Sequence, residues 1–155
     1  MSSRSVSILG ATGLVGSECV RVFAESREFE RVSALVRRPL PTSIAPSRVE
    51  THIIDFDRLD AAAEHFRVSH VVCALGTTMR KAGSRSQFRR VDHDYPLAAA
   101  RLGLRQGAQH FLLVSALGAN ARSRIFYSRV KGEVEDAIRA LGYRCVTIVR
   151  PSLLL

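Results

Sequence analysis

Aromatic side chains are scarce in this 155-residue chain, at 6%, and only Phe88 falls within its one local concentration of positive charge, "MRKAGSRSQFRR". A nucleic-acid face needs basic groups joined to stacking rings, so the formal charge of +9 does not indicate one, and nucleic acid is not an expected partner. Lysine is nearly missing as well: of 23 basic residues only Lys81 and Lys131 are lysine, and the arginines are spread along the chain. A small polyanionic ligand accounts for such a charge at least as well. Long apolar runs are also lacking. "HVVCAL" and "HFLLV" are of strand length, and the start "MSSRSVSILG" has no extended apolar core. Neither a membrane span nor a secretory leader is expected, and a cytoplasmic location is the expectation. Cysteine is limited to Cys19, Cys73 and Cys145, odd in number, far apart and each in an apolar context. They read as reduced core residues, with neither a disulfide nor a metal site.

What is present is a regular alternation. With 46% hydrophobic residues, residues 1–155 suit one domain that buries roughly 70% of its unfolded surface. Strand-like runs lie near Ser5–Leu9, Val32–Val36, Val49–Ile54, His70–Ala74, His110–Ser115 and Arg144–Val149. Helical patterns cover Leu14–Ser26, Asp57–Phe66, a stretch within Ser84–Gln106 broken before Pro96, and Ser123–Leu141. The link "RRPLPTSIAPS" carries Pro39, Pro41 and Pro46, so no regular helix is expected between the second and third strands. Such alternation predicts an α/β fold, a doubly wound parallel sheet of Rossmann type in the order 3-2-1-4-5-6 with helices on both faces. Ligands of that architecture bind in the crevice at the carboxyl ends of the strands, so functional residues are sought just after each strand.

After the first strand comes "GATGLVG", with Gly10, Gly13 and Gly16 spaced three and three and running into a helix. Glycines at such a turn permit a tight reversal and close approach of the backbone to a pyrophosphate, which free N–H groups at the helix start then hold. Thr12, Leu14 and Val15 belong to the same turn. The spacing is GxxGxxG, a variant of the dinucleotide fingerprint. After the second strand stand Arg37 and Arg38, where an NAD-specific site usually has an acid; a guanidinium there suits an adenosine 2′-phosphate and favours NADP(H) over NAD(H). After the third, Asp55, with Phe56 beside it, reads either as an acceptor for the adenine amino group or as a turn residue, and Asp57 as the cap of the next helix. The fourth strand ends in Ala74, Leu75 and Gly76, which would lie under the cofactor, and Pro151 follows the sixth.

The fifth strand ends at Ser115, twelve residues before Tyr127 and sixteen before Lys131. In "FYSRVKGEVE", Val130, Val134, Ala137, Ile138 and Leu141 form an apolar stripe, with Tyr127 and Lys131 four apart at its edge. A tyrosine, with a pKa of about 10, is a poor acid-base group at neutral pH unless its phenolate is favoured, and an ammonium one turn away supplies that field. Gly132 costs about 1 kcal/mol against alanine in a helix, a cost that close approach of the helix to the sheet or the cofactor would explain.

Gly10-x-x-Gly13-x-x-Gly16, Ser115 and Tyr127-x-x-x-Lys131 together resemble the short-chain dehydrogenase/reductase superfamily in its extended and atypical branches. The wording "CALGTTMRKAGS", "FRRVDHDYP", "VSALGANARSRIFYSRVKGEVE" and "RPSLLL" is similar to the bacterial members of the HIV Tat-interactive oxidoreductase family, whose sequences are also described as sugar-nucleotide-epimerase-like. The resemblance implies that Gly10, Gly13 and Gly16 bind the pyrophosphate, that Arg37 selects NADP(H), and that Ser115, Tyr127 and Lys131 form the reductase site. Two departures stand out. Where many relatives complete a tetrad with asparagine, this chain has Asp92 or His93, and it stops after "RPSLLL" where relatives continue into a substrate-binding segment.

The reading is an NADP(H)-dependent oxidoreductase that transfers hydride to or from an unidentified carbonyl or alcohol. Alternatives are a non-catalytic NADP(H)-sensing regulator and a sugar-nucleotide epimerase or dehydratase, which would use the same tyrosine and lysine. A small-molecule substrate is expected; a homodimer is allowed but not required.

Overall fold

The computed structural model describes residues 3–43 and 46–152; Leu153–Leu155 of "RPSLLL" lie outside them. In chain order the elements are β1 (Arg4–Leu9), α1 (Leu14–Glu25), β2 (Phe29–Val36), β3 (Val49–Ile53), a 3-10 helix (Phe56–Phe66), β4 (His70–Cys73), α2 (Met79–Ala82), α3 (Arg85–Arg89), a π-helical turn (Arg90–Asp94), α4 (Tyr95–Arg105), β5 (His110–Val114), α5 (Phe126–Arg139) and β6 (Cys145–Val149). The six strands form one sheet in the order β3-β2-β1-β4-β5-β6, and every neighbouring pair is parallel. This is the expected doubly wound order.

The strands are apolar on both faces because both faces are covered. Val6, Ile8, Val32, Ala34 and Val72 pack with Val20 of α1 in one core. Their sheet neighbours Leu9, Leu35, Val71, Cys73, Phe111 and Leu113 point the other way, onto Phe66, Leu97, Val134 and Ile138. The 3-10 helix, α4 and α5 thus share one face and α1 has the other. As the three prolines predicted, no helix lies between β2 and β3 among the described residues.

Three expectations are corrected. The stretch within Ser84–Gln106 is not broken before Pro96: α3, the π turn and α4 run on, with αR dihedrals at Arg89, Arg90, Asp94 and Tyr95. A proline inside a helix removes one N–H and presses on the carbonyl four residues earlier, here that of Asp92. The chain widens by one residue instead of ending, with Tyr95 N–H donating to Arg90 O. Residues 56–66 are 3-10 rather than α-helical, with non-helical dihedrals at Arg58 and Ala62. Finally, Cys73 is buried and Cys19 half-buried, but Cys145 is exposed, because β6 is an edge strand.

Candidate active site

The carboxyl ends of β1, β2, β4 and β5 bring the singled-out loops to one edge of the sheet. Gly10 adopts φ +82°, and a Cβ there would strike the backbone of Ala74 and sit 2.7 Å from Leu75 N. A Cβ on Gly16 would collide with Gly10 O. These two glycines are therefore demanded by the fold itself. Gly13 is different: at φ −80° it caps α1, and its Cβ would meet nothing nearer than Gly10 O at 3.6 Å. The open side of Gly13 faces away from the protein, so packing does not explain its missing side chain. α1 has no acidic residue in its first turn and no side-chain cap. Its leading N–H groups and positive dipole end suit a phosphate. Thr12 is exposed, Val15 half-buried, and Leu14 is 67% exposed at this rim.

On α5, Val130, Val134 and Ile138 are buried and Ala137 half-buried, and Leu141 just past its end is half-buried too, as the stripe predicted. Lys131 is not at the edge of the stripe but inside it, 5% exposed. Its Nζ lies 2.5 Å from Asp92 Oδ1 and 5.8 Å from the centroid of the Tyr127 ring. Asp92 is 1% exposed, and its Oδ2 accepts a 2.9 Å hydrogen bond from Thr77 N–H. Burial pushes the Asp92 carboxyl above its usual value against the opposing pull of Lys131 and the Thr77 amide. The π turn delivers this side chain inward, while the adjacent His93 pairs with Asp94 at 2.8 Å. Between the two positions left open by the sequence, the structure selects Asp92. Gly76 borders the pair: a Cβ there would sit 3.4 Å from Asp92 Oδ1 and 3.7 Å from Lys131 Nζ. Gly76 is exposed and Ala74 and Leu75 are half-buried beside it.

Ser115 donates its N–H to Val149 O at 2.7 Å, and its hydroxyl is buried with no hydrogen-bond partner among the described residues, Tyr127 included. It borders Glu135, the next residue of the line Tyr127, Lys131, Glu135 along α5. Burial pushes the Glu135 carboxyl up, but a two-pronged bond from Arg150 (3.0 and 2.6 Å) and the Arg150 and Arg139 charges outweigh it and hold it below the usual carboxylate range. The Glu135–Arg150 bridge ties α5 to the residue preceding Pro151, whose carbonyl accepts from Leu117 N–H at 3.0 Å. Neither Glu135 nor Arg150 was singled out by sequence; the spacing of four from Lys131 was the available signal. The close approach expected at Gly132 is made to a loop rather than to the sheet: a Cβ there would run into the backbone of Asn120 and Ala121 between β5 and α5.

At the adenosine end Arg37 and Arg38 are exposed directly after β2. The expected cap at Asp57 is corrected, while Asp55 takes the turn role that was one of its two readings. Asp55 is the helix cap, accepting from Asp57 N–H at 2.9 Å, and Asp57 instead holds Arg90 (2.5 and 3.0 Å) and the Tyr95 hydroxyl (2.6 Å). The Tyr95 hydrogen bond, with Arg90, keeps the Asp57 carboxyl low against the opposing effect of desolvation. A short side chain two residues before its N–H partner makes the cap at Asp55. Phe56 is in the core against Tyr95, ring centroids 5.7 Å apart. Two grooves of the described surface open away from this crevice, one of about 410 Å³ lined by Arg31, Ser33, His52 and His65. They share no residue with the crevice. No described helix is long and apolar enough to cross a membrane.

The family model described as NAD(P)H-binding matches residues 10–155. Protein HTATIP2 of Rattus norvegicus is 39% identical over 157 residues, covering all of this chain and 64% of that protein. Protein FMP52, mitochondrial, of Eremothecium gossypii is 36% identical over 96% of this chain and 65% of its own length. The chain thus spans slightly less than two thirds of these curated relatives. Among solved structures, UDP-glucose 4-epimerase with UDP-glucose from Thermotoga maritima superposes with TM-score 0.77 at 14% identity, over 94% of this chain and 54% of that one. MoeE5 in complex with UDP-glucose and NAD gives 0.75 at 17%, over 95% and 53%. At such identities the likeness is one of fold.

Proposed function

The chain belongs to the NAD(P)H-binding family, and from that premise we propose that it is an NADP(H)-dependent oxidoreductase acting on a carbonyl or alcohol. The observation that carries this reading is the buried Lys131–Asp92 pair, held beside Tyr127 and next to the open backbone of Gly76. Structural ion pairs are common, but this one lies at the crevice where the glycine turn of β1 leaves its helix N-terminus free.

The residues present fit a dinucleotide. The N–H groups at the start of α1, over Gly13 and Gly16, would hold the pyrophosphate, and Arg37 with Arg38 the 2′-phosphate; Asp55 and the backbone of Phe56 are offered to the adenine. Ala74, Leu75, Gly76 and Pro151 would border the remainder. When bound, the nicotinamide supplies or receives the hydride. Tyr127 gives a proton to the substrate oxygen in reduction and takes it back in oxidation. Lys131 keeps a positive charge beside that phenol and is itself oriented by Asp92. Ser115, a buried hydroxyl without a partner, donates to the same oxygen. Residues 1–155 act as one cofactor-binding domain in this reading, and the expected cytoplasmic location belongs to the proposal too.

The test is a fluorescence titration of the purified chain with NADPH and with NADH, followed by turnover on a panel of aldehydes, ketones and alcohols. NADPH binding tighter than NADH, with turnover abolished in Tyr127→Phe while binding persists, is the expected result. Absence of NADPH binding would sink the proposal.

A further inference from the structure

Two guanidinium groups share one aromatic ring beside the candidate site. Arg85 lies 4.9 Å and Arg129 5.6 Å from the centroid of Phe126. Phe126 and Tyr127 both pack on the buried Phe88, with centroids 5.9 and 5.2 Å apart, so this ring belongs to the same cluster as the tyrosine. Aromatic faces attract cations, which explains one arginine there. It does not explain two of like charge.

Acidic residues usually offset such crowding, and here they are engaged elsewhere. Glu133 takes Arg89 at 2.6 Å and Asp57 takes Arg90, while neither Arg85 nor Arg129 has a carboxylate partner among the described residues. α5 carries no acidic residue in its first turn and no side-chain cap. Of Arg129 only Nη1 is engaged, with the carbonyls of Ser123 and Arg124, leaving its other N–H groups free. The Arg85 side chain makes no hydrogen bond among the described residues and is exposed.

We infer that Arg85 and Arg129 form an anion subsite flanking Tyr127, and that the substrate carries a phosphate or carboxylate group away from its reacting carbon. This rests on the reading of Tyr127 as the reacting residue. Planar guanidinium forks match the oxygens of both anions, and an anion between the two arginines would relieve their mutual repulsion. The subsite is distinct from the places where the cofactor's own phosphates would lie, at the start of α1 and beside Arg37.

The experiment is calorimetric titration of the NADPH-saturated chain with inorganic phosphate and, separately, with acetate, at low ionic strength. Saturation fills the cofactor's phosphate sites first. Arg85→Glu should weaken anion binding by about tenfold or more, while Arg27→Glu, an equal charge change at the exposed turn before β2, leaves it unchanged. The anion bound more tightly identifies the substrate's group. No binding of either anion overturns the inference, as does binding that is unchanged in Arg85→Glu or equally weakened in Arg27→Glu. If NADPH itself does not bind, the oxidoreductase reading falls separately, and the subsite is judged by the same Arg85→Glu comparison on the free chain. A circular dichroism spectrum unchanged from the parent guards against misfolding, and Arg85→Gln, expected to retain less binding than the parent and more than Arg85→Glu, provides a milder second variant.

Discussion

Asp92 is engaged on both carboxylate oxygens: Oδ1 forms an ion pair with Lys131 Nζ at 2.5 Å, and Oδ2 accepts a hydrogen bond from the Thr77 N–H at 2.9 Å. Asparagine has a single acceptor oxygen, and either orientation of its amide would point an NH2 at a donor. The carboxylate is thus the side chain this pocket requires. It also links three elements, because the β4–α2 loop, the π turn and α5 meet at its two oxygens.

Asp92→Asn is accordingly expected to destabilise the protein by about 3 kcal/mol, since it leaves a buried ammonium or amide without an acceptor. Urea unfolding followed by circular dichroism measures this. A change within about 0.5 kcal/mol would show that the pair is not a buried, coupled unit.

The glycines separate by purpose. Gly132→Ala replaces a poor helix former by a good one and should still destabilise by about 2 kcal/mol or more, because the added Cβ runs into the Asn120 and Ala121 backbone. Gly13→Ala meets open space and should change stability by no more than about 0.5 kcal/mol. If the α1 turn holds a pyrophosphate, the same Gly13→Ala lowers NADPH affinity by about tenfold or more, and thermal melts with and without NADPH measure both effects.

Acid should weaken the Glu135–Arg150 tie. The Glu135 carboxyl is held low in the folded protein, whereas an unfolded glutamate titrates at about 4.3. Its contribution is therefore present above about pH 4.3 and lost as pH falls through the lower folded value. Urea midpoints at several pH values should show the gap between the parent chain and Glu135→Gln shrinking from pH 6 toward pH 3. A gap that stays constant would mean that the carboxylate charge does not matter there.

Arg37→Glu should weaken NADPH by about tenfold or more and leave NADH nearly unaffected, because only the 2′-phosphate distinguishes the two. Equal losses for both would move the 2′-phosphate away from Arg37. Arg90, already held by Asp57 at 2.5 Å, is not free to replace it.

The sequence by itself determined the element order, the parallel sheet and the glycine turn. These rest on local period and on residue types that limit the backbone: alternating strand and helix patterns, a positive φ at Gly10, and prolines that forbid a helix between β2 and β3. The stripe on α5 was readable for the same reason. What only the tertiary structure decided was which side chains from distant segments meet. Nothing near Asp92 marks it over His93; the choice follows from a π turn that Pro96 helps impose and from where α5 lies against it. Asp55 and Asp57 look alike in "DFD", and which one caps depends on Tyr95 and Arg90 reaching Asp57 from about thirty-five residues away. Glu135 entered the site because Arg150, beyond the last strand, offsets the burial of its charge. Periodicity is a property of one element, whereas the balance between desolvation and a partner's charge exists only after the elements have packed.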